Sequence, residues 1–384
     1  MKIGIVCYPT YGGSGVVATE LGKGLAKKGH QVHFITYRQP ARLLTFQENV
    51  FYHEVSAADY PLFEYPPYDT ALTSKLVDVV KYENLDILHV RYAIPHATVA
   101  YMAQKILLQE GRYVPVVTTL HGTDITLVGS NPAFAPVVAF SINKSDGVTA
   151  VSENLRKQTY EFFDIDNDIQ VIHNFIDFER FKKSDKDHFR KAIAPNGEKI
   201  LVHTSNFRKV KRVDDVIHIF KLVHDKIPSK LLLIGDGPER RKMEDLCRKI
   251  GLCDEIRFLG KQDAVEELLA ISDLFLMPSG SESFGLAALE AMACEVPVIS
   301  SSVGGLPELN INGVTGFLSN LGNVKEMAKN AIMLLENEDI LNKFRDNALK
   351  QAKRFDISNI LPEYEKYYEY ILKKSIIEKS DLKI

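Results

Sequence analysis

Glu282 and Glu290 stand in "SGSESFGLAALEAMACEVPVISSSVGG", residues 279–305, with seven residues and no other charge between them. Paired carboxylates can serve as general acid and base, or as nucleophile and acid. The surrounding residues point elsewhere. "SGSESFG" is a Gly/Ser-rich turn and "LAALEAMA" is strongly helical, so Glu282 belongs to a loop and Glu290 to a helix about two turns further on. At ~1.5 Å rise per residue the two carboxylates sit roughly 10 Å or more apart. That exceeds the ~5–5.5 Å of a retaining hydrolase pair. After Ser283, the amides of Phe284, Gly285 and Leu286 fall at the helix start, where free N–H groups and the helix dipole favour an anion such as phosphate. A carboxylate beside such a seat is suited to accept hydrogen bonds from hydroxyls, as the acidic residue of dinucleotide folds does for ribose.

Three further clusters carry polar chemistry. "TSNFRKVKRVDD", residues 204–215, crowds Arg208, Lys209, Lys211 and Arg212 into a loop behind Asn206 and ahead of a helix. A charge run is usually a solvated face. At the C-terminal end of a strand it is also placed to clamp a diphosphate, Arg through a fork of donors and Lys as a point charge. "YPTYGGSGVVATELG" sets Gly12, Gly13, Ser14 and Gly15 between a strand and a helix, either as a tight turn or as a close backbone approach to an anion. It matches neither G-x-G-x-x-G nor a Walker loop. "TTLHGTDITLVG" brings Thr119, His121, Thr123 and Asp124 to the end of an apolar run, and "HVRYAIPHA" adds Arg91, Tyr92 and His96. These suit hydrogen bonding to a sugar or hydroxy acid, while a satisfied structural histidine is the plainer reading of His121.

Short apolar runs at 2–8, 31–37, 86–92, 114–120, 147–151 and 169–173 alternate with amphipathic stretches. The rhythm pauses over 176–198, read as a charged linker region, and restarts at 199–205, 230–236, 255–260, 273–279 and 296–300. Near-continuous apolar strands separated by helices predict two α/β domains, each a parallel sheet covered on both faces. Ligands of such sheets bind outside the strand C-termini, where the polar motifs lie. The tail carries Leu361, Tyr364, Tyr368, Ile371 and Leu372 at helical spacing, a stripe expected to pack on the protein.

The 384 residues exceed one ordinary core, and a net charge of −3 gives no global field for nucleic acid or anionic membranes. No stretch reaches the ~18–20 apolar residues of a membrane span. The opening "MKIGIVCYP" enters a strand at once, so a cytoplasmic protein without a signal peptide is expected, and a homo-oligomer is left open. The four cysteines, Cys7, Cys247, Cys253 and Cys294, form no C-x-x-C pair and read as small apolar residues in a reducing compartment.

Together these motifs resemble the retaining glycosyltransferases of family 4, which have the GT-B fold. "ESFGLAALE" is similar to that family's E-x7-E signature, Arg208 and Lys211 to its donor-phosphate pair, and Gly12–Gly13 to its N-terminal phosphate loop. "VIHNFID" and "SVGGLPELNINGVTGFL" extend the resemblance over nearly the whole chain. The short Arg208-to-Lys211 spacing departs from many relatives and leaves Arg212 as an alternative basic partner. "CYPTYGGSGVVATELG", "FEYPPYDTALTSK", "YAIPHA" and "TTLHGTDIT" resemble a branch whose acceptor is L-malate and whose reaction opens bacillithiol biosynthesis. Arg91 departs there too, since a histidine is expected before the tyrosine.

The resemblance implies two Rossmann-like doubly wound domains facing across a cleft. Residues 1–175 would bind the acceptor and 176–361 the nucleotide sugar, with a helix of about 362–384 packing back on the first domain. It implies transfer of N-acetylglucosamine from UDP-N-acetylglucosamine (UDP-GlcNAc) to the hydroxyl of L-malate, with Arg208, Lys211, Glu282 and His121 as the catalytic set. Gly12, Gly13, Asn206, Gly260, Ser283, Phe284, Gly285, Leu286 and Glu290 would join Arg208, Lys211 and Glu282 in holding the donor. Ser14, Tyr92, Thr119, Thr123 and Arg91 would hold the acceptor, with Arg42 a further candidate. Glu290 would read the ribose, and Glu282 and His121 the transferred sugar. Two cations would take a metal's place, so no metal or cofactor is expected. Another sugar or a lipid acceptor, and phosphorylase or epimerase chemistry, remain open within the same fold. A nucleotide-sugar binder without turnover would not need the leaving-group clamp.

Overall fold

The computed structural model describes residues 1–10, 12–43, 45–57, 65–129, 131–184 and 186–381. The chain forms two compact units, Met1–Asn174 together with the segment from Ile357 onward, and Phe175–Asp356. The first holds strands β1 Lys2–Val6, β2 Gln31–Thr36, β3 Val50–Glu54, β4 Ile87–Arg91, β5 Val116–Leu120, β6 Gly147–Ala150 and β7 Ile169–Val171. The second holds β8 Lys199–Thr204, β9 Ser229–Ile234, β10 Ile256–Gly260, β11 Leu274–Met277, β12 Val298–Ser301 and β13 Gly316–Ser319. The sheet orders are β3-β2-β1-β4-β5-β6-β7 and β10-β9-β8-β11-β12-β13, with the pairings parallel throughout.

Central strands such as "ILHVR" in β4 and "LFLM" in β11 are buried at every position, because helices cover both faces of each sheet. In both sheets the order reverses beside the first strand, between β1 and β4 and between β8 and β11. Loops leaving two such neighbours diverge and open a crevice, the place where doubly wound sheets bind ligands.

Three expectations change. β3 and β13 were not foreseen. Both are edge strands, and "VFYHE" mixes half-buried and exposed residues where the central strands run continuously apolar. The stretch 176–198, read as a linker, is built into the second unit: Ile176 bridges Asp356, and a helix spans Asp187–Ile193. Its charges are anchors, with Arg180 on Glu266 at 3.0 Å, Lys186 on Glu267 at 3.0 Å and Arg190 on the buried Asp273 at 2.8 Å.

The tail helix begins at Ile357, earlier than expected, and runs to Asp381, while residues 382–384 lie outside the described residues. It belongs to the first unit. Leu361, Tyr364, Tyr368 and Ile371 are buried as the stripe predicted, and Leu372 is half-buried. Tyr368 Oη meets His89 Nδ1 of β4 at 2.6 Å, and Tyr367 Oη accepts the Val148 amide at 2.8 Å. Gly147 permits this approach, since a Cβ there would stand 2.7 Å from Ile371 Cδ1. Tyr368→Ala should therefore destabilise the first unit by about 3–5 kcal/mol, read as a lower denaturant midpoint for that unit. A change within about 0.5 kcal/mol, the size of a surface substitution, would mean the helix is not part of this core.

Candidate active site

In the second unit the loops after β8 and β11 are joined. Gly280 N donates to Val210 O at 2.7 Å, and Lys211 Nζ reaches Glu282 Oε1 at 2.5 Å. The side chains of this ion pair are 21% and 10% exposed, so both charges are largely out of water. Arg208 and Asn206 are exposed, and between them Phe207 is fully buried and pins the loop. Arg212, the alternative basic partner, is already engaged: its Nε donates to Asp215 Oδ2 at 2.5 Å. Gly260 ends β10, and its carbonyl accepts the Gly235 amide at 2.7 Å.

Below Glu282 the backbone of the post-β12 loop presses close. Gly305 N donates to Glu282 O at 2.9 Å, and at Gly304, with φ +55, a Cβ would lie 1.8 Å from that same oxygen. Only glycine fits there. Gly285 caps the helix Leu286–Ala293, while the Phe284 ring is buried edge-on against Phe355 at 5.4 Å. Ser283 and Leu286 are half-buried, and Glu290 is buried within the helix. The first turn of this helix aims its leading amides along the axis, as any helix start does. Glu282 and Glu290 are thus not an acid–base couple: one is committed to Lys211, the other sits in a helix interior.

His203, which the sequence reading did not single out, supports this loop. It is fully buried on β8; its Nδ1 donates to Leu276 O of β11 at 2.8 Å and its Nε2 lies 2.8 Å from Ser205 Oγ. Burial first of all pushes its pKa down to about 4, so the ring is neutral and Nε2 accepts from the hydroxyl. The signal was a histidine directly after the apolar run "ILV" of this strand.

In the first unit Asp124 is the organising residue. Its carboxylate accepts the amides of Ala93 at 2.9 Å, Gly122 at 3.0 Å and His121 at 3.3 Å, tying the loops after β4 and β5 together. Burial raises its pKa to about 6 against the pull of those amides. Gly12 stands at the N-cap of the helix Gly13–Lys27, and Ser14 Oγ in its first turn meets Tyr92 Oη at 2.5 Å. Tyr92 is pushed up to about 12, chiefly by burial, and stays a neutral phenol. Thr123 is exposed, and Arg42 is half-buried with a left-handed φ of 67°.

Two expected acceptor residues are not presented this way. Thr119 is fully buried, its hydroxyl shared between His89 Nε2 at 2.6 Å and Thr149 Oγ1 at 2.7 Å. The sheet's own network claims it, so it leaves the candidate acceptor set. Arg91 is also fully buried, lying 5.9 Å from the Tyr364 ring centroid. Its Nη1 stands 3.3 Å from His121 Nε2. A guanidinium can only donate, so Nε2 must accept and the His121 proton must sit on Nδ1. Burial and then the Arg91 charge hold His121 well below the usual imidazole value. Arg91 is thus buried against His121 and is not presented to a ligand as the acceptor assignment expected.

Among the described residues, His33, His53 and Glu83 have metal-ligating spacing, with one donor atom of each within 4.8 Å of the others. His33 Nδ1 and His53 Nε2 are 2.9 Å apart, and the ring centroids lie 5.2 Å apart at 18°. The rings meet nitrogen to nitrogen, the geometry of an N–H···N hydrogen bond rather than of two lone pairs converging on an ion.

The same fold occurs in sucrose-phosphate synthase from Thermosynechococcus elongatus, at TM-score 0.81, 18% identity and coverage of 97% of this chain and 99% of that one. HepE of Anabaena in complex with UDP and glucose matches at TM-score 0.80 and 22% identity, over 96% and 99%. The fold is that of the GT-B glycosyltransferases. Residues 11–180 match the family model described as glycosyltransferase family 4, and 184–351 the model described as glycosyl transferases group 1. N-acetyl-alpha-D-glucosaminyl L-malate synthase of Bacillus anthracis is 48% identical over 97% of this chain and 98% of its own length. The chain belongs to glycosyltransferase family 4.

The tautomer of His121 can be read directly. Its ring should carry hydrogen on Nδ1 and remain neutral between about pH 5 and 8, seen in nitrogen-15 shifts of labelled histidine. Arg91→Met removes a positive neighbour, so the His121 pKa should rise, while burial keeps it under the ordinary ~6.5. A proton on Nε2 in the native protein would contradict the assignment.

Proposed function

We propose that this glycosyltransferase moves N-acetylglucosamine from UDP-GlcNAc to the hydroxyl of L-malate with retention at the anomeric carbon, giving GlcNAc-α-malate and UDP. The observation that carries this reading is the 48% identity along 97% of the chain to a protein of that name. The joined loops after β8 and β11 support it chemically.

In this reading the donor roles fall mainly on the second unit. Arg208 and Lys211 meet the charge growing on the leaving diphosphate, as donors aimed at where charge develops. The Gly12–Gly13 turn and the start of the helix Leu286–Ala293 add backbone amides, with Asn206, Gly260 and Ser283 as neighbours of the nucleotide. Glu290 accepts from the ribose hydroxyls. Glu282, freed from Lys211 as phosphate takes its place, accepts from hydroxyls of the transferred sugar. His121 offers its Nδ1–H to the sugar's 6-hydroxyl.

Malate attacks from the face that UDP leaves. Its hydroxyl proton passes to a β-phosphate oxygen as the C–O bond to UDP breaks and the new glycosidic bond forms. No enzymic nucleophile and no metal is required. Malate's carboxylates need donors, which Ser14, Tyr92 and Thr123 supply. A cytoplasmic site of action, at the opening step of bacillithiol biosynthesis, fits these substrates.

The test incubates the purified protein with UDP-GlcNAc and a panel of hydroxy acids and sugars. UDP release should depend on L-malate and yield an α-linked product; release equal with and without malate would sink the reading. Lys211→Ala should lower turnover by at least ~100-fold, whereas Arg212→Ala, which removes a side chain committed to Asp215, should stay within a few-fold. Equal losses in the two variants would mean the clamp is assigned wrongly.

A further inference from the structure

The sequence scatters its cysteines without a C-x-x-C pair, yet the fold brings two of them together. Cys247 lies near the end of the helix Arg240–Ile250 and is buried. That helix stops at Gly251, whose left-handed φ of 73° turns the chain back. Leu252 N then donates to Cys247 O at 3.2 Å, and the next residue, Cys253, returns over the helix end. The two Sγ atoms lie 3.3 Å apart, and Cys253 is exposed.

We propose that Cys247 and Cys253 are a reversible disulfide site, oxidised by peroxide and reset by low-molecular-weight thiols. A disulfide needs sulfurs at ~2.05 Å with Cβ atoms ~3.5–4.5 Å apart. Closing the remaining gap of ~1.3 Å asks for side-chain torsion in a short connection, not for a new fold. Cys253 is the entry thiol because solvent reaches it. The Cys247 thiol, pushed up to about 12 first by burial and then by Cys253 itself, waits as the resolving partner. Cys7 and Cys294 are buried and likewise pushed up to about 12, chiefly by burial, so they are internal controls within the same chain.

The chemistry balances. The Cys253 thiolate attacks one oxygen of hydrogen peroxide; the O–O bond breaks, hydroxide leaves and Cys253 becomes a sulfenic acid. The Cys247 sulfur then attacks the Cys253 sulfur, the S–O bond breaks, and the departing hydroxide takes the Cys247 proton as water. Two thiols lose two electrons and two protons, and one peroxide becomes two waters. The new bond ties the end of the helix to the lead-in of β10, the edge strand of the second sheet.

The test oxidises the native protein with hydrogen peroxide, alkylates remaining thiols after denaturation, and maps the peptides by mass spectrometry. Two of the four thiols should be lost, in a peptide linking residues 247 and 253 within one chain, and dithiothreitol should restore them. In Cys247→Ser, Cys253 should instead be trapped as sulfenic acid by dimedone. Alkylation of all four thiols after oxidation would overturn the proposal, and so would Cys253 recovered only in a cross-link between chains.

Discussion

The ion pair between Lys211 and Glu282 is the constraint on which the second unit's site depends. Two opposite charges drawn mostly out of water cost desolvation on both sides, and they repay it only if geometry holds them together. Here the geometry is fixed from several directions. The Gly280 amide ties one loop to the other, Gly305 bonds the Glu282 carbonyl, and Gly304 lets that backbone approach. His203 bridges the underlying strands. Lys211 is therefore dehydrated and aimed before any ligand arrives. In the proposed reaction a diphosphate replaces Glu282 as the partner of a charge the loops already hold in place, which is how preorganised electrostatics lowers a barrier.

The first unit repeats the device with different chemistry. Its loops after β4 and β5 are joined by Asp124 accepting three backbone amides, and its buried cation is Arg91. Among the described residues the Nε and Nη2 of Arg91 find no hydrogen-bond partner, while its Nη1 faces His121 Nε2. Such a guanidinium is expensive to bury. Its effect is to fix which nitrogen of His121 carries hydrogen and to keep that ring neutral. In the second unit the locked loops leave β8 and β11, the strands that flank the switch point, and in the first they leave the neighbouring strands β4 and β5; in each case the loops inherit the precision of the sheet.

Much of this was legible in the residues, and the exceptions share a cause. Central strands announced themselves because burial on both faces leaves an unbroken apolar run, whereas β3 and β13, at sheet edges, show no such run. The charges of 176–198 looked solvated because their partners Glu266, Glu267 and Asp273 lie some eighty residues on. Thr119 looked available because a hydroxyl at a strand end often is, but His89 and Thr149 on adjacent strands claim it. Lys211 and Glu282 were each identified, yet their pairing spans 71 residues of chain and no spacing rule reports it. Residue types and local order are written in sequence; partnership across strands is a property of the sheet order.

The division of labour between Lys211 and Glu282 is tested most directly by calorimetric affinities of UDP and UDP-GlcNAc for the native protein and for Glu282→Gln. If Lys211 carries the phosphate and Glu282 reads the sugar, the variant should bind UDP as well as or better than the native protein, because Lys211 has lost a competing carboxylate, while its preference for UDP-GlcNAc over UDP should fall. Equal weakening of both ligands would show that Glu282 serves only to hold the loop, and would contradict the sugar-reading role at the centre of the proposed mechanism.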